Sequence, residues 1–520
     1  MGSIGDGRRL DCEGLHFPLT CTLSFLFPLH AGSRANHLLW AVLALHALLG
    51  AALGLSVDEA HYLLYAAHPA LSYFDHPPLV GWLQWPLVAL HAPVAVLRLI
   101  PGLLWLVTVG GVHRLTLRIF APSPLAPQAA LAAVLALALA PLLHILGIGL
   151  LPDTLLMALT VALMWQTWTL VQSPTAGTPA AWLVLGGLLG LAGLSKYTAV
   201  FTAVAVGGCL LAAHGVSVLR KPWLWAALAL AVLIVVPVAV WNVQNDWISF
   251  TYQAAHGKGS VWQAQHVSRF VLTQLLAYGP LLLLGWAGWR HTQGPVAWLL
   301  LFFALPFSIF TYLSGGGTSL PHWTAPAWVA LAPFAGWGIA SLWQAGRRRV
   351  VRGLAALQAL ACVALLGLML SAGWPLVAGS AAAVAPQPNP FADLHGWQAA
   401  GARAQALAAQ QQLGSVAVQN WTLASRLGWY AQPLPVHVLE DRLTQFSLWA
   451  GDLAVGGNTL LVDWSYMAYD VPVAPHGFAS CTLLDTLQTS HWGRPLASFR
   501  FYDCRGWSGT PQSNLEPRKP

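Results

Sequence analysis

Eleven apolar stretches, each roughly twenty residues long, occupy the middle of this 520-residue chain. A stretch of that length crosses the hydrocarbon core of a bilayer as an α-helix, because only a helix or a closed barrel satisfies its backbone there. The chain is 57% hydrophobic and 8% charged, far from the one-quarter charge typical of soluble domains. We therefore predict a polytopic, mostly α-helical membrane protein. The predicted spans are 37–56, 95–113, 128–150, 154–172, 180–195, 197–214, 223–241, 269–289, 295–313, 323–343 and 353–373.

The distribution of Lys and Arg predicts the orientation of these spans, since cytoplasmic loops carry an excess of both residues. With a cytoplasmic N-terminus, the cytoplasmic loops hold nine of them and the opposite loops hold four. Residues 1–36 are then a cytoplasmic extension and residues 37–384 a transmembrane domain. Its first exported loop, 57–93, is semi-apolar and predicts helices that lie in the membrane interface. Residues 385–520 form an exported domain.

That exported tail has a different pattern from the rest of the chain. Short strand-like runs at 416–418 and 459–462 flank a helix-like run at 421–430, which predicts a small α/β fold. Cys481 and Cys504 lie in it and would form a disulfide if they are close in space, which the sequence alone does not decide. Cys209 and Cys362 lie in apolar runs and are predicted to be packing residues.

Only five acidic residues lie between residues 36 and 385, and the predicted topology puts all five on the exported side. They are Asp58, Glu59, Asp75, Asp153 and Asp246. An ionisable group at membrane depth is costly, so each is a candidate for function. Each also has an ordinary alternative, such as a solvated helix end or a carboxylate that offsets a helix dipole. Together with cations and histidines on the same side, they predict a site that handles an anionic lipid.

Two motifs in the first exported loop are the most informative. In Asp58-Glu59, two adjacent acids at a membrane boundary suit a general base and its orienting partner. In the run 74–78, Phe-Asp-His-Pro-Pro, two prolines exclude helix and hold a carboxylate and an imidazole at a fixed point. A lysine in the Ser-Lys-Tyr run 195–197 is a natural partner for a lipid phosphate, although a snorkelling lysine is the alternative.

The order of these motifs resembles the bacterial protein O-mannosyltransferase-like glycosyltransferases of the GT-C superfamily, together with the aminoarabinose transferases that modify lipid A. The resemblance implies a GT-C membrane fold and a polyprenyl-phosphate sugar donor used outside the cytoplasm. The matching residues are Asp58-Glu59, Tyr62, the run 74–78, Arg98-Leu99, Pro152-Asp153, the run 194–197, Trp241-Asn242, His322-Trp323, Pro326 and the run 442–449.

The resemblance also implies roles for individual residues. Catalysis would fall to Asp58 as general base with Glu59 and Asp153, and binding of the donor phosphate to Lys196, Arg98 and His76. The expected substrate-binding residues are Tyr62, Asp75, Asn242, His256 and His322.

Two positions depart from the aminoarabinose transferases, where the place of His76 holds Lys and the place of Asp75 holds Glu. This departure argues against aminoarabinose as the sugar and leaves the use of a divalent metal open; no other cofactor is expected. The expected partners are the lipid-linked donor, membrane lipids and a glycan, lipid or protein acceptor, without nucleic acid. The expected location is the bacterial inner membrane, with the active site and the tail on the periplasmic side.

Rival functions predict different patterns. A transporter or flippase of lipid-linked sugars would place acids deep within spans and on discontinuous helices near the midplane. Here the acids lie at the ends of the predicted spans, which favours an enzyme. A hydrolase of the common metal or serine types is disfavoured, because the sequence has neither a His-Glu-x-x-His nor a Gly-x-Ser-x-Gly motif.

Overall fold

The computed structural model describes residues 34–173, 177–259, 261–373, 389–473 and 476–511. The side chains of His256 and Lys258 and almost all of the predicted extension 1–36 lie outside this description. The described part is mostly α-helical with one C-terminal sheet, as the sequence predicts.

Helices fill the region up to residue 370. Their apolar composition and the scarcity of charge leave the intrahelical ladder as the partner for the backbone in a lipid environment. They are α1 (Arg34–Ala52), α2 (Val57–Ala67), α3 (Leu79–Ala89), α4 (Val94–Leu97), α5 (Leu99–Ile119), α6 (Ala126–Ala138), α7 (Pro141–Ile148), α8 (Pro152–Val171), α9 (Pro179–Ser195), α10 (Ala199–His214), α11 (Pro222–Gln244), α12 (Ile248–Lys258), α13 (Ala264–Tyr278), α14 (Pro280–Trp289), α15 (Pro295–Trp298), α16 (Leu301–Leu313), α17 (Ala325–Gln344) and α18 (Arg348–Leu370).

The number of membrane spans differs from the predicted eleven. Within the described residues, eight helical segments are long and apolar enough to cross a membrane, or up to ten if each of two bent pairs counts as one span. The pair α6–α7 bends by 73° and the pair α13–α14 by 97°. Helix α9, predicted as a span, is apolar but has only 17 residues. Hydropathy located these segments, but it does not report where a helix breaks.

One glutamine supplies the hydrogen bonds that both helix breaks require. Gln358 of α18 donates from Nε2 to the carbonyls of Leu139 (3.0 Å) and Tyr278 (3.2 Å), and its Oε1 accepts from the amide of Leu281 (2.8 Å). Gly279 lies beside it at φ 77°, where an added Cβ would stand 2.2 Å from the Gln358 side chain. A broken helix in lipid leaves backbone groups that water cannot reach, so this side chain holds both bends together.

The loop 57–93 between the first two predicted spans forms a short helical layer. Helix α2 begins with a capping box, in which Ser56 Oγ accepts from the amide of Glu59 and the Glu59 carboxylate accepts from the amide of Ser56 (3.0 Å). A rigid turn follows and leads into α3. The loop is helical, as the sequence predicts, and α2 is largely buried and packs against α3 and against the C-terminal domain.

The C-terminal domain is a five-stranded mixed sheet with helices packed on it. Strand order is β2-β1-β3-β5-β4; β1 pairs in parallel with β2 and β3, and β5 pairs antiparallel with β3 and β4. The strands and helix predicted from the sequence are confirmed, and Cys481 and Cys504 form a disulfide. The elements are α19 (Trp397–Gln410), β1 (Val416–Val418), α20 (Trp421–Tyr430), β2 (Val436–Val438), α21 (Gln445–Trp449), β3 (Thr459–Trp464), β4 (Phe478–His491) and β5 (Arg494–Trp507).

The C-terminal domain sits on α2 through an apolar contact. Leu64 of α2 belongs to the same buried cluster as Leu423 and Leu427 of α20. A Cβ added to Gly428 would come within 2.9 Å of the Leu64 side chain, so the two helices approach closely at this glycine. Helix α20 thereby covers the face of α2 that carries Leu64.

Replacement of Gln358 by leucine tests the role of the shared cap. We expect Gln358→Leu to lower the midpoint of thermal unfolding in detergent, because each orphaned buried backbone group costs about 1–3 kcal/mol. Intrinsic tryptophan fluorescence on a temperature ramp measures the midpoint. Gln344→Leu, at an exposed position, is the matched control. Equal midpoints for both variants would show that the bends do not depend on this side chain.

Candidate active site

Helix α2 presents its chemically active side chains on one face. Asp58, His61, Tyr62 and Tyr65 are spaced at three- and four-residue intervals, so a helix aligns them. His61, Tyr62 and Tyr65 are buried, and Asp58 keeps part of its surface open. The face looks toward the turn that holds Asp75, since Tyr65 Oη donates a short hydrogen bond to the Asp75 carboxylate.

Glu59 and Arg98 form a closed structural unit. Arg98 donates from Nε and Nη2 to the two Glu59 carboxylate oxygens, at 2.8 Å and 2.9 Å. Its Nη1 donates to the carbonyls of Gly50 (2.8 Å) and Leu53 (2.6 Å), and Nη2 donates also to the Gly54 carbonyl (2.8 Å). All five guanidinium N–H groups are therefore used. These contacts leave no donor for the lipid phosphate that the sequence assigned to Arg98, and they bind the end of α1 to the start of α2.

Asp153, Lys196 and His322 meet at another point of the same end of the helix bundle. Asp153 is the second residue of α8, and Lys196 directly follows α9. Lys196 Nζ lies 2.7 Å from both Asp153 carboxylate oxygens, and His322 Nε2 lies 3.8 Å from one of them. Ser195 Oγ donates to the Pro152 carbonyl (2.9 Å) and so ties the end of α9 to the start of α8. Three predicted site residues are thus brought together.

Asp75 is tied to the C-terminal domain through His61. His61 Nε2 lies 3.6 Å from Asp75 Oδ1, and His61 Nδ1 lies 3.2 Å from Ser425 Oγ of α20. Because Ser425 Oγ donates to the Trp421 carbonyl (2.9 Å), it accepts from the imidazole. Burial acts to raise the pKa of Asp75, but the adjacent imidazoles of His61 and His76 and the hydrogen bond from the Tyr65 hydroxyl outweigh it and hold this pKa below the usual range.

Asp58 is the one acid of this cluster that is unpaired. Within the described residues, its carboxylate makes no hydrogen bond or ion pair, while Glu59, Asp75 and Asp153 each face a cation or an imidazole. Burial raises the pKa of Asp58 above its ordinary value, and the nearby imidazoles of His322 and His61 offset only part of that effect. A carboxylate with a raised pKa and no bound proton donor has the properties of a general base.

Two other side chains of the cluster, Tyr62 and His76, stay neutral near pH 7. Burial, followed by the charges of Asp58 and Asp75, raises the pKa of Tyr62 well above its usual value. Burial lowers the pKa of His76 to about 4, although Asp75 acts in the opposite direction. His76 Nδ1 is buried and has no hydrogen-bond partner within the described residues. His76 therefore offers a hydrogen bond rather than the positive charge expected of a phosphate-binding residue.

The remaining predicted residues lie in other settings. Asn242 is fully buried; it donates to the Val238 carbonyl (3.0 Å) and accepts from the Ser249 amide (3.2 Å), contacts that shape the turn between α11 and α12. Asp246 lies exposed in that turn at φ 52°. His256 lies on α12, and its side chain is outside the described part of the chain. No group of three metal-ligating side chains occurs among the described residues.

Sequence reasoning missed His61, Tyr65 and Ser425. His61 and Tyr65 share a helix face with Asp58, so their spacing of three and seven residues was a usable signal. Ser425 had no such signal, because it meets His61 only through the packing of α20 on α2. His61 is also ringed by Tyr62, Tyr65, Trp421, Phe446 and Trp449, with ring centroids within 5.9 Å.

The Arg98 contacts give a prediction that separates a structural from a binding role. Arg98→Met leaves the buried Glu59 carboxylate unpaired, and we expect it to destabilise the protein by about 3–5 kcal/mol. The measurement is the midpoint of thermal unfolding in detergent, with Arg290→Met at an exposed site as control. If Arg98→Met were as stable as the control but bound the donor more weakly, Arg98 would instead be a residue that binds the donor phosphate.

Comparison with known proteins agrees with this architecture. Residues 75–241 match the model of the dolichyl-phosphate-mannose-protein mannosyltransferase family. A lipid A galacturonosyltransferase, RgtD of Rhizobium johnstonii, is 24% identical over 313 residues, which is 58% of this chain and 64% of that protein. The matched part thus spans less than two thirds of that relative.

A solved structure shows the same fold. The crystal structure of ArnT from Cupriavidus metallidurans in the apo state superposes with a TM-score of 0.52 at 16% identity, covering 90% of this chain and 98% of that one. The family match, the relative and the shared fold agree with the resemblance found in the sequence. The described chain thus has the fold of ArnT, and residues 75–241 are similar to the dolichyl-phosphate-mannose-protein mannosyltransferase family.

Proposed function

We propose that this protein transfers a sugar from a polyprenyl-phosphate donor to an acceptor hydroxyl, on the exported face of the bacterial inner membrane. The observation that carries the proposal is the Asp58 carboxylate, which has no hydrogen bond or ion pair with any described residue, in a cluster whose other acids face cations or imidazoles. The matched family is named for a lipid-linked mannose donor and the relative for transfer to lipid A, which supports this chemistry.

Asp58 acts as the general base in this proposal. Its carboxylate takes the proton of the acceptor hydroxyl while that oxygen forms a bond to the anomeric carbon of the donor sugar. The bond between the anomeric carbon and the phosphate oxygen breaks, and its electron pair leaves with the polyprenyl phosphate. One displacement at the anomeric carbon inverts its configuration.

Lys196 stabilises the departing phosphate. An ammonium group has three N–H donors, and two of those of Lys196 are directed at Asp153 (both 2.7 Å). The third is available to a phosphate oxygen, where a charge-assisted hydrogen bond is strongest as the leaving group gains charge. Asp153 fixes the position of this ammonium, so we assign it a positioning role in place of direct catalysis. His322, 3.8 Å from Asp153, is the second donor at this point.

Neutral donors complete the site. The Tyr62 hydroxyl lies near Asp58, Asp75 and Asp153, and the His76 imidazole lies near Asp75 and Asp153; both keep an N–H or O–H to offer at neutral pH. Uncharged donors suit the hydroxyl groups of a sugar. Glu59 and Arg98 contribute by fixing the first turn of α2, which sets the direction of Asp58.

Loss of the Asp58 carboxylate tests the proposed base. We expect Asp58→Asn to reduce sugar transfer by at least about 100-fold, the lower end of what a general base contributes. The assay follows label transfer in membranes supplied with radiolabelled polyprenyl-phosphate hexoses and hexuronic acids. Asp246→Asn is the matched control, because Asp246 is the exposed fifth acid and lies apart from the cluster.

Two results would contradict this proposal. Equal transfer by Asp58→Asn and the control would remove Asp58 from catalysis. Movement of labelled donor across the bilayer, without transfer to any acceptor, would favour a flippase over an enzyme.

The raised pKa of Asp58 also predicts the pH dependence of transfer. A general base works only when it is unprotonated, so the rate falls as pH drops through its pKa. Because burial raises that pKa, we expect the acid limb of kcat/KM to lie above the range of an ordinary carboxyl group, about 4. A profile that stays flat down to that range would show that a group with an unperturbed pKa controls the reaction.

A further inference from the structure

A groove runs between helices at the end of the bundle that lies opposite the candidate active site. It has a volume of about 360 Å³ and is lined by apolar side chains of α6, α14, α17 and α18. Leu135 on its wall is 41% exposed, so the groove is open to the surroundings of the bundle. Its mouth is formed by Arg34, Gln128 and Trp343, and among the described lining residues Arg34 alone is charged.

Helix lengths place this mouth about one membrane thickness from the candidate site. Arg34 is the first residue of α1, and the far end of that helix is held by Arg98 beside Glu59. The 19 residues of α1 span roughly 28 Å. Helix α17 gives a similar separation, because it begins shortly after His322 and carries Trp343 in its last turn. The mouth therefore lies at the headgroups of the leaflet opposite the candidate site.

The depth of the groove matches one leaflet. Its wall on α6 runs from Gln128 to Leu139, a rise of roughly 16 Å along a helix. The hydrocarbon core of a bilayer is about 30 Å thick, so one leaflet contributes about 15 Å. The inner end of the groove lies at the two helix breaks, because Leu139 and Leu281 line it and both accept or donate a backbone hydrogen bond to Gln358. The depth suits an acyl chain of that leaflet.

Positive charge collects at the mouth. The guanidinium groups of Arg348 and Arg352 lie over the Trp343 ring, 5.5 Å and 5.4 Å from its centroid, while Arg34 lines the groove itself. All three arginines are exposed, and none has an ion pair within the described part of the chain. Helices α1, α6, α14, α17 and α18 contain no acidic residue that could neutralise them. Their guanidinium forks suit the oxygens of a phosphate group.

The start of α18 adds to this excess of positive charge. Arg347 is its N-cap residue, Arg348 and Arg349 follow in the first turn, and that turn has no acid. A helix N-terminus carries a partial positive charge, which favours anions and disfavours neighbouring cations. An anion bound at the mouth would therefore offset both the arginines and the helix dipole.

We propose that this groove binds one anionic phospholipid of the leaflet opposite the candidate site. Its phosphate is held at the mouth by Arg34, Arg348 and Arg352, and one acyl chain fills the groove as far as the helix breaks. A polyprenyl-phosphate donor does not suit this position, because its phosphate would lie about a membrane thickness from Lys196. The bound chain closes the space between α6 and α18, so the lipid stabilises the bent helices.

Native mass spectrometry of the full chain in detergent tests the site by counting the lipids that stay bound. Delipidated protein is titrated with phosphatidylglycerol, or with phosphatidylcholine that has the same acyl chains. We expect one phosphatidylglycerol molecule to bind about tenfold more tightly than phosphatidylcholine. Arg34→Gln should lower that preference about fivefold, the effect of one arginine beside an anionic lipid.

Arg220→Gln is the matched control for charge. Arg220 is exposed at the end of the short helical turn that follows α10, on the same end of the bundle, and it does not border the groove. This variant should keep the preference of the wild type. Equal binding of the two lipids by the wild type, or an unchanged preference in Arg34→Gln, would overturn the proposal.

A second variant tests where the acyl chain lies. Ala355 lines the groove, so Ala355→Phe fills it and should weaken the binding of both lipids. Ala356→Phe is the control, because Ala356 is exposed and does not line the groove. Binding of phosphatidylglycerol by Ala355→Phe as tightly as by the wild type would overturn the proposal, since the lipid would then lie elsewhere.

Other occupants of the groove give other results, and each of them contradicts the proposal. Displacement of phosphatidylglycerol by polyprenyl phosphate would assign the groove to the donor lipid. A lipid-free dimer that Ala355→Phe dissociates would assign it to a second copy of the chain. Lipid binding that begins only after residues 1–33 are removed would assign it to the N-terminal segment of the chain itself.

Discussion

The compensation of buried charge organises this molecule. A carboxylate removed from water must be paired or it is too costly to keep ionised, and the membrane domain has few cations on this side to pair with. Arg98 takes Glu59, Lys196 takes Asp153, and the imidazole of His61 faces Asp75. Each pair joins elements distant in sequence, so the pairs fix the ends of the helices around a common point. Among the described residues, Asp58 is the one of these four acids that makes no hydrogen bond or ion pair at that point.

The C-terminal domain completes this arrangement. Without α20, the face of α2 that carries Leu64 and His61 would be exposed, and the imidazole would lose both its aromatic surroundings and Ser425. Gln445 holds the turn that carries Asp75 from the same side. The domain is therefore part of the candidate site by direct contact.

The sequence predicted the helices and strands more accurately than it predicted which side chains contact each other. Hydropathy located all the apolar segments, and the strands at 416–418 and 459–462 were correct, because both patterns are local. The bends at 139–140 and 279 were missed, since they depend on Gln358 some eighty residues or more away. Four of the five acids of the membrane domain, Asp58, Glu59, Asp75 and Asp153, lie in one cluster.

The roles expected of the charged residues illustrate the same limit. Arg98 and Lys196 look alike in sequence, as single cations near the ends of apolar runs. In the structure the guanidinium of Arg98 is saturated by one carboxylate and three carbonyls, while Lys196 keeps one donor beyond its two contacts with Asp153. Which cation stays available is a property of tertiary geometry that no local pattern encodes.

The two bent helix pairs bear on the choice between an enzyme and a transporter. Discontinuous helices in transporters bind ions through half-helix ends and nearby acids. Here the segments 126–148 and 264–289 contain no acidic residue. The carbonyls that have lost their intrahelical partner at the bends accept hydrogen bonds from the side chains of Gln358, Cys362 and His144. The breaks are thus closed by the protein itself, while the open carboxylate lies at the end of the bundle. A carboxylate without a described partner at the end of the bundle, together with helix breaks that carry no acid, is the pattern that an enzyme predicts and a transporter does not.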